Sequence, residues 1–376
     1  MAVGLLSLLA LSASAAKVSP ESLLHGPFIP PNADQLRVAV GGDGGALLYA
    51  WVDNDRVWVK SSLSASATML PGAGNATVRV GGIAYNGGRF LVTWLEGGVP
   101  LAARFSREGA LLDGVSIRIG PVAADVDVVA DPQGFRVFVN LLQTAFAMSR
   151  ISTAGTLLDA TPIPIGSGNP QTVITSADRF AWLDSENRQA TSSKTNGLIV
   201  VSFNSRPAGD LPSPGVLSMS TGGLTRFPFQ FMDPALASNG LQYFIFWHNG
   251  HEIRGARVNA DGTPIDTANG MLMAVDAIAP TASPKPVQAL WDGSKYLVVW
   301  EDVAANGNIN IMGTYVSPNG ASTWFDIAAS PANERAPMLQ LLDPGRVLVV
   351  YQKVGPLSTE IVSRVVSEKR ERVVRR

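Results

Sequence analysis

The stretch DGSKYLVVWED, residues 292–302, joins a turn dipeptide to an apolar run and two carboxylates. Asp-Gly is a strong signal for a tight hairpin turn. The run Tyr296–Trp300 has the β-branched and aromatic composition of a buried strand. The stretch therefore predicts the second strand of a β-hairpin. It leaves open whether Glu301 and Asp302 form a site or only end a strand that the chain repeats.

The same pattern returns along the chain at regular intervals. Its last position falls at Trp51, Trp94, Val139, Trp182, Trp247, Trp300 and Tyr351. Successive spacings are 43, 45, 43, 65, 53 and 51 residues. Self-similarity at this period is typical of propellers and solenoids. We expect the aromatic column to be core between repeats, because aromatic side chains bury large areas in such positions.

Each repeat contains signals for four strands. An apolar strand and a Gly turn precede the aromatic strand, a third strand follows it, and a second Gly turn leads to a fourth. This predicts an all-β fold, a single closed β-propeller of seven four-stranded blades, with six or eight blades as the alternative. The 65-residue interval is explained by a loop at 185–195 inserted into one blade. The last repeat lacks a fourth strand, and residues 17–34 are expected to supply it and close the ring.

The repeat resembles one found in large exported bacterial proteins. The pattern DG..YLVVWED…I.G..V…G carries this resemblance over residues 35–367, most clearly in the last three units. The resemblance implies a β-propeller. It implies no particular chemistry, because such repeats occur in binding and in scaffolding proteins.

Composition excludes several classes of function. The formal net charge is −1, which gives no electrostatic attraction to nucleic acid. The chain has no cysteine, so disulfides, thiol catalysis and cysteine-ligated metals are excluded. We expect no cofactor. Calcium is the one cation considered, because carboxylate oxygens are its preferred ligands.

The two ends of the chain differ from the repeats. The apolar run Val3–Leu11 followed by Ala13-Ser14-Ala15 predicts a signal peptide over residues 1–16, although it has no basic start. The run is too short to span a bilayer as a helix. Residues 17–367 are assigned to the propeller and 368–376 to a basic tail. We expect a secreted, periplasmic or cell-surface bacterial protein without a transmembrane segment.

Carboxylates recur where the aromatic strands end. This predicted acidic rim consists of Asp53, Glu96, Asp184, Glu301 and Asp302. A broken ring of this kind would bind a cation or sugar hydroxyls. The alternative is that the acids are solvated strand ends or ion-pair partners. That alternative is favoured by an arginine column on the neighbouring third strands, at Arg104, Arg150, Arg257 and Arg364.

A second candidate site lies where the first strands begin, around the mouth of the channel. Its predicted members are Arg79, Asp125, Asp127, Thr172, Asp233, Gln288, Glu334 and Arg335. Polar groups that converge from several blades are typical of a binding pocket. Polar residues would line the mouth of any propeller, so this pattern does not by itself establish a site.

The sequence favours binding over catalysis. The predicted function is a non-catalytic binding or scaffolding propeller that recognises a glycan, a surface polymer or a protein partner. The alternative is a carbohydrate-active hydrolase or lyase, with Asp125 paired to Asp233 or Glu334 as the acid groups. Ser317–Trp324 resembles the Asp box of sialidase-like propellers only at its ends, and no catalytic residue is assigned from it. His248 and His251 lie in a loop pattern rather than a metal-binding helix.

Overall fold

The computed structural model describes residues 16–368 apart from several internal ranges. The ranges outside the description are 29–36, 41–44, 71, 73–76, 132, 142–144, 167–169, 177–178, 187–196, 204–224, 230–234, 249–251, 260–264, 267–269, 276–286 and 319. Leader residues 1–15 and tail residues 369–376 also lie outside it. Ala16 and Glu368, which the sequence assigns to leader and tail, lie in strands.

The described residues form an all-β protein whose regular elements are strands, with no helix among them. No helix long and apolar enough to cross a membrane occurs in this part of the chain. Two strands precede the repeats, β1 (Ala16–Val18) and β2 (Ser22–Phe28). All the others belong to successive antiparallel sheets, in which strands adjacent in sequence pair with one another.

The first four sheets have four strands each. Sheet 1 contains β3 (Arg37–Val40), β4 (Leu47–Asp53), β5 (Arg56–Ser61) and β6 (Thr68–Met69). Sheet 2 contains β7 (Val78–Asn86), β8 (Arg89–Glu96), β9 (Val99–Ser106) and β10 (Ile117–Arg118). Sheet 3 contains β11 (Asp125–Asp131), β12 (Gly134–Leu141), β13 (Ala145–Ser152) and β14 (Ile163–Gly166). Sheet 4 contains β15 (Pro170–Ser176), β16 (Arg179–Glu186), β17 (Gly197–Phe203) and β18 (Thr225–Phe229), so the 65-residue interval holds one sheet, as predicted.

Three further sheets complete the described chain. Sheet 5 contains β19 (Ala235–Ser238), β20 (Gln242–His248), β21 (Glu252–Asn259) and β22 (Met271–Val275). Sheet 6 contains β23 (Val287–Trp291), β24 (Tyr296–Val303), β25 (Ile309–Ser317) and β26 (Gly320–Ala328). Sheet 7 contains β27 (Asn333–Asp343), β28 (Arg346–Val354) and β29 (Thr359–Glu368), and β1 and β2 both pair with β29 along its outer edge.

The predicted pairing of the two chain ends is therefore confirmed. Ala16 lies opposite Glu368, and Ser22 lies opposite Ser363. Because β29 would otherwise present a row of unpaired backbone groups, this pairing protects the edge of the last sheet. The N-terminal segment occupies the place that the fourth strand holds in the other sheets.

The core lies between neighbouring sheets, and the aromatic column supplies its largest side chains. Trp94 packs between sheets 1 and 2, Trp300 between sheets 5 and 6, and Tyr351 between sheets 6 and 7. Trp51 packs with Leu348 and Val350, so sheet 7 also packs against sheet 1. These four aromatic side chains are at most 2% exposed, which confirms their predicted role in the core.

Successive sheets also meet along their first strands. Contacts join β3 to β7, and then β11, β15, β19, β23 and β27 in turn, and β27 contacts β3. Similar four-stranded sheets that pack in succession around a common axis follow the plan of a β-propeller.

Antiparallel pairing gives each sheet two ends, here called the rim face and the clasp face. The rim face is the end at which the second strand stops and the third begins, for example at Glu96 and Val99. The clasp face is the opposite end, where the third strand stops, for example at Ser106. First strands begin at the rim face, so both predicted sites belong to it.

Candidate binding face

The recurring arginines make a repeated structural contact, which we call the clasp. The backbone N–H of Arg104 donates to Asp113 Oδ2 at 2.6 Å, and its guanidinium donates to Asp113 Oδ1 at 2.6 Å. The carbonyl of Arg104 accepts from the N–H of Leu112 at 2.9 Å. The same contacts join Arg150 to Asp159 and Arg257 to Asp266, always across nine residues.

The arginines therefore pair with acids other than those the sequence suggested. The rim acids lie at the opposite end of the sheet, whereas the clasp aspartates lie after the turn that follows the third strand. The sequence signal for this contact is the Asp that recurs nine residues after Arg104, Arg150 and Arg257. The pKa of Asp266 lies below its ordinary value: partial burial alone would raise it, but hydrogen bonds from Arg257 outweigh that effect.

Arg364 does not hold the equivalent place in the last sheet, so this part of the predicted column is wrong. Tyr351 lies opposite Val362, as Trp94 lies opposite Leu101, and Val365 therefore occupies the position of Arg104. The hairpin between β28 and β29 is longer than that between β8 and β9, which shifts the sequence spacing. Arg364 instead donates to the hydroxyl of Tyr351 at 3.1 Å and the carbonyl of Ser19 at 3.2 Å.

The acidic rim is not a continuous ring in the described residues. Glu301 Oε1 accepts from the N–H of Ala336 in sheet 7 at 2.8 Å, and Asp302 is buried. Asp53 lies opposite Arg56 at the β4–β5 hairpin. Asp184 lies in β16, where the backbone alone is described. Among the described residues, no group of three or more histidine, aspartate or glutamate side chains is placed to hold a metal ion.

Glu96 lies in a recess between sheets 1 and 2. The recess has a volume of about 190 Å³ and is lined by Asp55, Arg56, Val57, Leu70, Gly72, Val78, Trp94 and Glu96. Arg56 also donates to the carbonyl of Gly72. Trp94 is only 2% exposed, so it forms the floor of the recess rather than a platform for stacking. This volume includes space open to solvent, so the recess is not an enclosed pocket.

Two predicted mouth residues come together across the next sheet boundary. Arg79 on β7 and Asp125 on β11 form an ion pair of 2.9 Å, with side chains 43% and 36% exposed. Asp127 accepts from the N–H of Val128 and packs against Gly82 of the neighbouring first strand, where a Cβ would collide with it. Because Gly82 has no side chain, β7 and β11 approach closely here.

Glu334 is placed differently from the other predicted mouth residues. It is 0% exposed, and its Oε1 accepts from the N–H of Ser330 at 3.0 Å. Its Oε2 is buried without a hydrogen-bond partner among the described residues. Burial raises the pKa of this carboxyl, with the negative charge of Glu21 adding to the effect. Glu334 is thus enclosed in the protein rather than presented at a mouth.

The remaining predicted residues do not join these contacts. Gln288 is half-buried on β23, and Arg335 is exposed on β27 opposite Gln352. Thr172 lies in β15, where the backbone alone is described. Asp233 and His251 lie outside the described residues, and His248 ends β20. The rim face therefore offers partly exposed charges at two adjacent sheet boundaries rather than one enclosed pocket.

Comparison with known proteins finds a likeness to solved structures alone. No protein-family model matches the chain, and no curated protein does. A protein of unknown function from Dyadobacter fermentans is 11% identical with a TM-score of 0.49, over 94% of this chain and 99% of its own. The β-propeller domain of the Trilobed protease from Pyrococcus furiosus is 9% identical with a TM-score of 0.48, over 92% and 100%. A GH43 endo-arabinanase from Bacillus licheniformis is 11% identical with a TM-score of 0.35, over 65% and 92%. At this level of similarity, nothing follows about what the chain binds.

Proposed function

We propose that this chain is an exported, non-catalytic β-propeller that binds a protein partner of the cell envelope through its rim face. The proposal includes a closed ring of seven blades, supported by the contacts between successive first strands and by the packing of sheet 7 on sheet 1. Export is supported by the apolar leader and the A-x-A pattern at Ala13–Ala15.

The observation that carries the proposal is the partly exposed charge at the boundaries of sheets 1, 2 and 3. Arg56 and Glu96 line one boundary, and Arg79 and Asp125 bridge the next. Charges that cross blade boundaries on an open surface suit a protein partner, because complementary charges at the edge of an interface set orientation and specificity. Arginine is also enriched in protein interfaces.

A protein partner is favoured over a glycan by the aromatic side chains. A glycan site would place exposed aromatic rings beside the acids. Among the residues whose side-chain exposure the structure describes, Trp324 is the one large exposed aromatic residue, and it lies on the outermost strand of sheet 6.

A binding role is favoured over catalysis by the contacts and the burial of the carboxylates. Asp125 is paired with Arg79, Glu301 accepts from the backbone of Ala336, and Glu334 is enclosed. Glycoside hydrolysis requires two carboxylates at a defined separation on either side of a reachable bond. The described members of the predicted mouth do not supply such a pair.

The test is capture of envelope proteins on immobilised full chain, followed by an affinity measurement with the purified partner. The rim variant Arg56→Glu/Arg79→Glu reverses two charges near the proposed interface. Lys17→Glu/Arg346→Glu makes the same charge change at exposed residues elsewhere and serves as the matched control.

We expect the rim variant to lose roughly tenfold or more in affinity, and the control to bind as the native chain does. Equal binding by both variants would contradict the use of the rim face. Binding to a glycan array in the absence of any protein partner would support the glycan hypothesis instead. Release of cleaved product from a bound polymer would overturn the non-catalytic assignment.

A further inference from the structure

Asn-Gly pairs recur along this chain. The sequence contains seven of them, and the structure describes the asparagine in three, at Asn86, Asn239 and Asn306. Because glycine has no side chain, its backbone nitrogen can approach the side-chain amide of the preceding asparagine closely. That approach allows the nitrogen to attack the amide carbon and displace ammonia. Whether it does so depends on the hydrogen bonds that hold each pair.

Asn239 lies in the turn that joins β19 to β20 at the clasp face. Its Oδ1 accepts from the N–H groups of Leu241 and Gln242, both at 2.9 Å. Two N–H donors on one carbonyl oxygen stabilise the negative charge that develops there when a nucleophile adds to the carbon. The side-chain amide of Asn239 is therefore activated toward attack.

The nitrogen of Gly240 is the group placed to attack. Its N–H donates to the hydroxyl of Ser238 at 3.1 Å, near the upper limit for a hydrogen bond from nitrogen. Gly240 is exposed, and the space where a Cβ would lie is open. Solvent hydroxide can therefore reach this N–H and remove its proton, which leaves the nitrogen free to attack Asn239.

Asn86 is held differently, because it is tied to the neighbouring sheet. Its Nδ2 donates to the carbonyl of Gly134 at 2.8 Å. The nitrogen that would have to leave as ammonia is thus engaged in a contact between sheets 2 and 3.

Asn306 has a less activated amide and a more firmly held glycine. Its Oδ1 accepts from the N–H of Asn308 at 3.0 Å, one donor where Asn239 has two in the described residues. The N–H of Gly307 donates to the carbonyl of Ala304 at 2.8 Å, a shorter bond than the one to the serine hydroxyl. Among the three described pairs, the pair at Asn239 therefore combines an activated amide with a weakly held nitrogen.

We propose that Asn239 is a site of self-modification, at which the side-chain amide is lost through a cyclic imide. The nitrogen of Gly240 gives its proton to solvent hydroxide and forms a bond to Cγ of Asn239. The bond from Cγ to Nδ2 then breaks, and Nδ2 leaves as ammonia after taking a proton from water. Water opens the resulting succinimide at either carbonyl, which yields aspartate or isoaspartate. The net reaction consumes water and releases ammonia, with no oxidation or reduction.

This modification would change the hairpin permanently. Either product adds a negative charge at the clasp face. Isoaspartate also carries the backbone through Cγ, which lengthens the turn between Ser238 and Tyr243, the last cross-strand pair of β19 and β20. The same turn presents Leu241, which is 81% exposed, so its position at the surface would change as well.

The test is incubation of the purified full chain at mildly alkaline pH in heavy-oxygen water, followed by digestion in ordinary water and mass spectrometry. Opening of the succinimide incorporates solvent oxygen, so the label separates conversion in the folded protein from conversion during digestion. Asn86 and Asn306 are internal controls. Leu241→Pro removes one of the two N–H donors to Asn239 Oδ1. Leu241→Ala removes the same exposed side chain but keeps the N–H, and is the matched control.

We expect Asn239 in the folded chain to convert roughly tenfold or more faster than Asn86 or Asn306, because each donor to a developing oxyanion accelerates its formation. Leu241→Ala should convert as the native chain does, and Leu241→Pro roughly tenfold more slowly. In urea, where these hydrogen bonds are lost, the three pairs should convert at similar rates, and so should the two variants.

A rate at Asn239 no higher than that at Asn306 in the folded chain would overturn the proposal. A rate advantage that persists in urea would also overturn it, since the advantage would then arise from local sequence rather than from the fold. Equal rates in the two Leu241 variants, with thermal unfolding verifying that both are folded, would overturn the role of the N–H donors. The comparison of the three pairs in the native chain depends on neither variant. The turn lies at the end of sheet 5 opposite the rim face, so failure here is separable from failure of the proposed function.

Discussion

Ser19 and Val365 exchange two hydrogen bonds although 346 residues separate them in the chain. The N–H of Ser19 donates to the carbonyl of Val365 at 2.9 Å, and the N–H of Val365 donates to the hydroxyl of Ser19 at 2.8 Å. Val365 occupies the position that Arg104 holds in sheet 2. Ser19, at the other end of the chain, thus supplies a backbone N–H donor and a side-chain acceptor to Val365. Leu112 and Asp113 supply the same two groups to Arg104 in the internal clasp.

Replacing Ser19 with alanine should weaken the attachment of the N-terminal segment. The change removes the acceptor for the N–H of Val365, and the loss of one such hydrogen bond costs about 1 kcal/mol. The midpoint of urea unfolding should fall accordingly. Ser22→Ala, at an exposed position of the same segment, is the control and should leave the midpoint unchanged. An equal fall in both variants would contradict the role assigned to Ser19.

Replacing Asp113 with alanine should cost more, about 2–3 kcal/mol. The substitution leaves both the N–H and the guanidinium of Arg104 without their carboxylate, and hydrogen bonds to charged groups contribute about 1.5–3 kcal/mol. The two side chains are only 13% and 11% exposed. Asp343→Ala breaks an ion pair with Arg346 that is about half exposed, so it should cost about 1 kcal/mol or less. Denaturant unfolding of the two variants compares them directly, and equal losses would contradict a structural role for the clasp.

The sheets were predictable from sequence because their signals are local. Gly turns and apolar runs lie within about ten residues, and they predicted the aromatic strands correctly. The pairing of the ends followed instead from the missing fourth strand of the last repeat. The partners of the arginine column were not predicted correctly, because the Asp nine residues later lies beyond the turn that ends the strand, whereas the rim acids lie on the adjacent strand. Arg364 was misplaced because a longer hairpin changes the sequence spacing without changing the register.

Replacing Ala336 with glycine should stabilise the protein. Ala336 has φ of 51°, a left-handed conformation that disfavours residues with a Cβ, and it lies where the register of β27 against β28 shifts. The free energy recovered by relieving this strain should exceed the free energy lost because glycine makes the unfolded chain more flexible. The stability of the folded protein should therefore rise by up to about 1 kcal/mol. Ala332→Gly, outside the left-handed region, should lose stability instead. Thermal unfolding distinguishes the two signs, and a loss in both variants would contradict the assignment of strain.

The candidate site was less predictable than the fold, because its geometry depends on contacts between sheets. The sequence placed Arg79 and Asp125 at the starts of first strands, but only the packing of β7 on β11 brings them into an ion pair. Glu301 and Glu334 carry the same signals as the exposed acids. Glu301 accepts a hydrogen bond from the backbone of the next sheet, and Glu334 is enclosed. Neighbouring residues in the sequence do not distinguish these two environments from an exposed one.

Replacing Glu334 with glutamine should change how stability depends on pH. The folded-state pKa of Glu334 lies above its ordinary value of 4.5, mainly because burial disfavours the charge. The group therefore opposes folding increasingly as pH rises from about 4.5 through the folded pKa. Glu334→Gln removes this cost, so its advantage over the native chain in urea midpoint should grow from pH 4.5 upward. A difference that stays constant with pH would contradict the enclosed, charge-disfavouring setting of Glu334.

Asp266→Asn should give a pH dependence of the opposite sign. The pKa of Asp266 is lowered below 3.8 by hydrogen bonds from Arg257, which outweigh the effect of burial. Its contribution to stability is therefore complete above pH 3.8 and is lost as pH falls through the folded pKa. The asparagine variant should be less stable than the native chain at neutral pH, and the two urea midpoints should converge in acid. Glu334 and Asp266 are both carboxylates. Opposite dependences of stability on pH in the same buffers would therefore arise from their surroundings, which are an enclosed site for Glu334 and a clasp arginine for Asp266. Parallel trends in the two variants would contradict one of the two assignments.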